Sequence, residues 1–272
     1  MAIAFVSARR GVRHLAVAVI AAISGPVCAE ERAFCPERPG LDTPPCVVDP
    51  GRVSLEISAI DWTLDRQPGT RTDTVLSGDA LLRLGLTSNL EAQIGWTAYG
   101  HVRMRTPLGI VAQSGTGDIR LGMKLGLLHP DGQGTSIALK PFARLPTGGK
   151  AIGAGTWSAG VQLPVSVTVA NGLQIIATPE LDAAANQSGD GRHFAWGSSA
   201  GAQVALTAST SLAFEAQLIR DQDPSGHTTS ALGETSLAWQ PGKNTQLDLG
   251  IAAGLNRNSP DVELIAGIAR RF

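Results

Sequence analysis

The feature of this chain that most restricts its fold is a two-residue alternation of apolar and polar side chains. In the stretch TGDIRLGMKLGLL, residues 116–128, one parity is apolar: Ile119, Leu121, Met123, Leu125 and Leu127. The other parity is basic or glycine: Arg120, Gly122, Lys124 and Gly126. A β-strand built this way has one oily face and one polar face. It fits a soluble sandwich with the oily face inward, or a membrane barrel with that face outward.

Similar segments recur from Gly51 to the C-terminus and predict about twelve strands. The connections between them alternate in length. Short turns are predicted at 87–89, 129–133, 170–171, 207–210 and 240–244. Longer loops are predicted at 64–73, 100–114, 146–156, 185–193, 222–228 and 256–260. Outer-membrane barrels have short turns at one end and longer loops at the other, whereas a Greek-key sandwich has no reason to keep such an alternation.

Strand length and the chain end favour the same choice. The length of the predicted strands is close to the roughly 9–11 residues that a tilted strand needs to cross a bilayer. It exceeds the length of strands in soluble proteins, which is about five or six residues. The last strand ends on Phe272, which resembles the C-terminal signal read by the barrel-assembly machinery. The predicted fold is all-β: a transmembrane antiparallel up-and-down β-barrel of about twelve strands over residues 51–272.

Residues 1–29 have the pattern of a cleaved signal peptide. Arg9, Arg10 and Arg13 precede an apolar run from Leu15 to Ile23, and small residues around Ala29 mark a cleavage site. An uncleaved anchor or a lipoprotein modified at Cys28 are weaker alternatives. Residues 30–50 are then an N-terminal periplasmic segment. The expected location is the outer membrane, with its lipids as partners.

Two cysteines, Cys35 and Cys46, remain after the signal peptide. An even pair in an exported chain favours a disulfide that closes a small loop, with two free thiols as the alternative. The pair carries no metal-site spacing, and we expect neither metal nor cofactor. The formal net charge of −1 leaves no basic footprint for nucleic acid.

Several stretches resemble the family known as putative MetA-pathway of phenol degradation, whose members are outer-membrane barrels of transporter type. The resemblance is carried by Arg38-Pro39-Gly40, by Pro50-Gly51-Arg52 before a strand with Glu56, by LLRLGLTSNLEAQIGW (81–96), by GTGDIRLGMKLGLL (115–128) and by Leu145-Pro146-Thr147-Gly148. It implies a channel for small, aromatic or apolar solutes, and it brings no binding residues. The cysteine pair departs from the family pattern.

An enzyme is the less favoured hypothesis. The chain has no HExxH or P-loop motif, and it lacks the His-x-Ser arrangement of outer-membrane phospholipases. His193 beside Asp190 and Ser188 is the nearest approach to a catalytic cluster, and a solvated loop explains it better. We therefore predict no catalytic residues. A surface module of adhesin or receptor type, which transports nothing, remains an alternative, and a lipid hydrolase is a weaker one.

In a barrel, the charged residues on the polar parity face the lumen. They are predicted to form a basic wall and an acidic wall, which would orient polar solutes; alternatively, the charges pair and fill the interior. The predicted pore-lining residues are Glu56, Arg83, Glu91, Arg120, Lys124, Lys140, Arg144, Glu180, Asp182, Glu215, Glu234 and Asp248.

Overall fold

The computed structural model describes residues 31–272, so the predicted signal peptide, residues 1–29, lies outside the described part. Fourteen β-strand segments make up its regular structure. They are β1 (Val53–Gln67), β2 (Thr70–Gly85), β3 (Leu90–Thr106), β4 (Gly109–Gly115), β5 (Ile119–Leu128), β6 (Thr135–Leu145), β7 (Ser158–Gln162), β8 (Val165–Ala170), β9 (Leu173–Ala185), β10 (Arg192–Ala205), β11 (Thr210–Asp221), β12 (Thr228–Gly242), β13 (Thr245–Gly254) and β14 (Val262–Arg271).

These segments form a closed antiparallel barrel of twelve strands, which confirms the predicted fold. The barrel closes where β1 pairs with β14. β7 and β8 both lie between β6 and β9 and are two halves of one strand, interrupted at Leu163 and Pro164 because proline lacks the amide hydrogen that the ladder needs. β4 pairs only with the far end of β3 and extends the wall beyond β5.

The outer surface of the barrel is a band of apolar side chains. On β5, Leu121 and Met123 are 42% and 46% exposed, whereas Lys124 on the opposite parity is fully buried inside. Aromatic residues at the band's edges, such as Trp96 and Trp239, are also exposed to the outside. The oily face of the opening stretch therefore turns outward, which is the geometry of a barrel whose solvent is lipid.

Two of the predicted long loops are wrong. Residues 64–73 and 100–114 form hairpins that lengthen β1 with β2 and β3 with β4. The physical reason is that both stretches keep threonine and β-branched residues up to a tight turn, which at Gly69 uses a positive φ of 77° that glycine tolerates without strain. The wall therefore projects beyond the apolar band at this end.

Within residues 31–272, no helix is long and apolar enough to cross a membrane. Residues 32–52 have no regular secondary structure. They fold back into the barrel interior from the short-turn end, and we call them the plug segment. Cys35 and Cys46 are joined by a disulfide within it. The alternation of the strands gives no indication that this segment enters the lumen.

Candidate functional site

The plug segment is anchored on a buried arginine of the wall. Arg83 on β2 donates to Glu91 on β3 with N–O distances of 2.9 and 3.0 Å, and to Glu56 on β1 at 3.0 Å. Its remaining hydrogen bonds go to the backbone carbonyls of Cys35 and Cys46, at 2.8 and 3.2 Å. The guanidinium thus holds both ends of the disulfide-closed loop, and it does so where water is excluded.

Glu37 of the plug segment completes the cluster. Its carboxylate lies 2.6 Å from Lys124 Nζ and 2.7 Å from Lys140 Nζ, and it accepts from Gln93. Its backbone amide donates to Glu56 at 2.9 Å. Burial raises the pKa of Glu37, but the three neighbouring cations outweigh that effect and hold its pKa well below the ordinary value. Glu37 is therefore ionised in its docked position.

The cluster is balanced in charge. Three cations, Arg83, Lys124 and Lys140, face three carboxylates, Glu37, Glu56 and Glu91, so the formal sum is 3 − 3 = 0. The wall alone supplies three cations and two carboxylates, a sum of +1. Because an unpaired buried charge is costly, the plug segment neutralises an excess that the wall would otherwise carry.

The tip of the plug segment reaches the opposite wall. Arg38 Nη2 lies 2.8 Å from Asp248 on β13, and Arg38 Nη1 donates to Ser58 on β1 at 2.5 Å. The backbone amides of Leu41 and Asp42 donate to Glu215 on β11, at 2.5 and 3.1 Å. The plug segment therefore spans the lumen from one side to the other.

This tip divides the lumen into two chambers. The outer chamber, toward the long-loop end, has a volume of about 400 Å³ and is lined by charged residues of β1, β2, β5, β6 and β9 together with Phe142. The inner chamber, toward the short-turn end, has a volume of about 280 Å³ and is lined mainly by uncharged polar residues of β8 to β13. Residues 37–40 line both. These residues therefore lie between the two chambers.

A long loop, residues 146–157, covers part of the outer chamber. Buried Asp118 accepts from the amides of Gly148 and Ala154 at 2.8 and 2.7 Å, and Thr116 O accepts from Gly149 at 2.8 Å. The TGD and LPTG signatures thus bind each other and fold the loop inward. Beneath it lies a cavity of about 170 Å³, which Ile152 lines.

The predicted pore-lining residues fall into two groups. Glu56, Arg83, Glu91, Lys124, Lys140, Glu215 and Asp248 contact the plug segment. Within residues 31–272, the other five form no hydrogen bond or ion pair with the plug segment: Arg120, Arg144, Glu180, Asp182 and Glu234. Three of these residues line the outer chamber: Arg120, Arg144 and Glu180. Asp182 lies in a small recess between β9 and β10. Glu234 is buried, and neither of its carboxylate oxygens has a hydrogen-bond partner within residues 31–272.

Some functional residues were missed in the sequence analysis. Glu37, Arg38 and Asp118 lie outside the alternating strands, where parity gives no information. Arg38 belongs to the RPG signature and Asp118 to the TGD signature, and Glu37 directly precedes RPG. The His193 cluster also differs from the sequence reading: the imidazole lies 2.9 Å from Asp221 and 3.0 Å from Asn186 rather than against Ser188.

The fold and its filled lumen define a class: a transmembrane β-barrel of the outer-membrane type. Among solved structures, the chain is similar to the COG4313 outer membrane channel from Pseudomonas putida F1, with a TM-score of 0.67 and 14% identity, covering 86% of this chain and 99% of that one. It also resembles the NanC porin (TM-score 0.50, 9% identity, 78% and 99% covered) and the translocator domain of autotransporter NalP from Neisseria meningitidis (TM-score 0.51, 13% identity, 82% and 88% covered). At these identities, the likeness is one of fold.

The family model described as putative MetA-pathway of phenol degradation matches residues 37–272. The chain belongs to this family, which confirms the resemblance seen in the sequence. The match begins at Glu37, so the tip of the plug segment is part of the family pattern. Curated proteins gave no match.

Proposed function

We propose that the protein is an outer-membrane channel for small solutes, aromatic or apolar ones among them, and that its plug segment narrows the pathway. The observation that carries the proposal is the pair of lumen chambers meeting at residues 37–40. A barrel filled by side chains alone would leave no such chambers, and a wide porin would have no constriction. Two further findings support the same function: the family's association with phenol breakdown, and the structural likeness of this chain to a protein named as a channel.

The proposed location follows from the fold. Residues 1–29 direct export, the barrel-assembly machinery reads the strand that ends at Phe272, and lipid covers the apolar band. The short turns and the plug segment then face the periplasm, and the loop 146–157 faces the outside. The N-terminal periplasmic segment, residues 30–50, enters the lumen from that side over residues 32–50.

The proposed activity is transport rather than catalysis. Most of the charged side chains inside the barrel bind one another or the plug segment, and this arrangement positions a segment of the chain rather than a nucleophile. Substrate selection then depends on the size and charge of the outer chamber and of the passage beside Arg38.

Single-channel recording from purified protein in planar bilayers tests the proposal. Wild-type protein should show small conductance steps, and Arg38→Ala should enlarge them because it removes the side chain that bridges Ser58 and Asp248. Arg257→Ala, in an exposed loop, is the matched control and should leave the steps unchanged. A sealed bilayer with both wild-type and Arg38→Ala proteins, each shown to be folded, would refute transport and favour a surface module.

A further inference from the structure

The outer chamber contains a cation pair with an incomplete set of partners. Arg120 on β5 and Arg144 on β6 are directly opposite each other in the strand register and face the lumen. Directly opposed like charges destabilise a strand pair unless an anion lies between them. Arg120 is neutralised by Asp79 at 2.7 Å. Arg144 is exposed to the chamber and forms no ion pair or hydrogen bond with any residue from 31 to 272.

The same two arginines lie where a solute enters. Both line the outer chamber of about 400 Å³, and both line the cavity of about 170 Å³ beneath the loop 146–157. The chain's other described cations in the chamber are occupied: Lys140 binds Glu37, and Arg38 binds Asp248. Arg144 therefore has no ion-pair partner among residues 31–272, and the Asp182 carboxylate acts on it only through longer-range electrostatics, so its guanidinium can bind an incoming anion.

An aromatic surface lies beside it. Phe142 is two residues from Arg144 on the same face of β6 and lines the outer chamber. Its register partner on β7 is Gly160, and a Cβ there would overlap both the Phe142 ring and the Asp182 carboxylate. The missing side chain thus leaves room for the ring to lie along the wall. Leu81 and Ile265 add apolar surface to the same chamber.

The surrounding acids restrict the charge of a ligand. The same chamber is also lined by three acids, Asp79, Glu180 and Asp61. Their negative charges repel a dianion such as phosphate or sulfate more strongly than they repel a monoanion. A carboxylate can bind a guanidinium through two parallel hydrogen bonds, and a planar apolar body can pack on Phe142.

We propose that Arg144, with Arg120 and Phe142, forms a binding site for monoanionic aromatic carboxylates on the way into the channel. The proposal rests on the proposed function, because it names a class of solute for that channel. The site selects by two features together: one carboxylate for the arginines and one ring for Phe142.

Equilibrium binding to the full-length detergent-solubilised protein tests the site without requiring transport. Benzoate, benzamide, acetate and sulfate are titrated by calorimetry. Benzoate should bind at least about tenfold more tightly than benzamide, which keeps the ring without the charge, and than acetate, which keeps the charge without the ring. Benzamide or sulfate binding as tightly as benzoate would overturn the assignment.

Substitutions locate the site. Arg144→Gln should weaken benzoate about tenfold or more, Arg144→Lys should weaken it less, and Phe142→Leu should remove the preference for benzoate over acetate. Arg257→Gln, which removes the same charge in an exposed loop, should change nothing. Equal effects of Arg144→Gln and Arg257→Gln would overturn the site. Benzoate binding in a protein that never conducts would leave the site intact and refute the channel.

Discussion

Replacing Glu37 by glutamine tests whether charge balance holds the plug segment in the lumen. The substitution keeps the size of the side chain and removes its charge, so three buried cations remain against two carboxylates. Breaking a buried ion pair by removing one partner typically costs about 3–5 kcal/mol. Lys140 retains 13% side-chain exposure and can turn toward the outer chamber, which favours the lower end of that range.

A loss of about 3 kcal/mol changes the docking equilibrium about 100-fold toward the released plug. The barrel itself should persist, because its strand ladders do not involve Glu37. We therefore expect Glu37→Gln to raise the fraction of time spent in large-conductance states. Backbone amides of the plug segment that bind the wall, such as those of Thr43 and Val48, should also exchange hydrogen faster.

A second substitution separates charge balance from the loss of particular contacts. Adding Lys140→Gln to Glu37→Gln restores the formal sum to 2 − 2 = 0 and should restore much of the closed state. The reasoning is refuted if Glu37→Gln leaves conductance and exchange at wild-type values. It is refuted equally if the double variant is as open as the single one.

Three further predictions use other parts of the structure. Burial and, after it, the nearby Glu215 raise the pKa of Asp42 from 3.8 to about 7. Its neutral form therefore favours docking at low pH, and this contribution to docking is lost as pH rises from about 4 through about 7. Open probability should increase between about pH 5 and pH 8, and Asp42→Asn should flatten that profile. Leu121→Arg should cost about 2–4 kcal/mol of unfolding free energy in lipid vesicles, whereas Gly122→Arg should fold and conduct less; the reverse result would mean an inverted barrel. Alkylation of unreduced mature protein should label neither Cys35 nor Cys46, and labelling of both would contradict the disulfide.

The barrel was predictable from the sequence because lipid imposes one rule on every strand. Each strand must be apolar on one parity, so the signal in residues 116–128 repeats around the wall and the strand number follows from counting. Errors arose where the rule ends. The hairpins at 64–73 and 100–114 project beyond the apolar band, where residues such as Arg71 and Asp73 pair in water without alternation.

The interior was predictable only in composition. Parity places Arg83, Glu91 and Lys124 inside the barrel, but it cannot show that they bind a segment far away in the chain. The contact of Arg38 with Asp248 joins residues 210 positions apart. Such contacts depend on barrel closure and strand register, which a single sequence does not state. The plug segment, with no periodicity of its own, gives no sign of its destination.

The span of the plug segment across the lumen also has a mechanical consequence. Glu37 is fixed to one wall, while Arg38 and the amides of Leu41 and Asp42 are fixed to β13 and β11 on the other. A tie of this kind acts as a brace that sets the barrel's cross-section. Once it is withdrawn, the wall is free to relax to a different shape. The pore diameter after release of the plug segment is therefore set by the relaxed wall. It cannot be obtained by removing the plug segment from the present structure and leaving the wall unchanged.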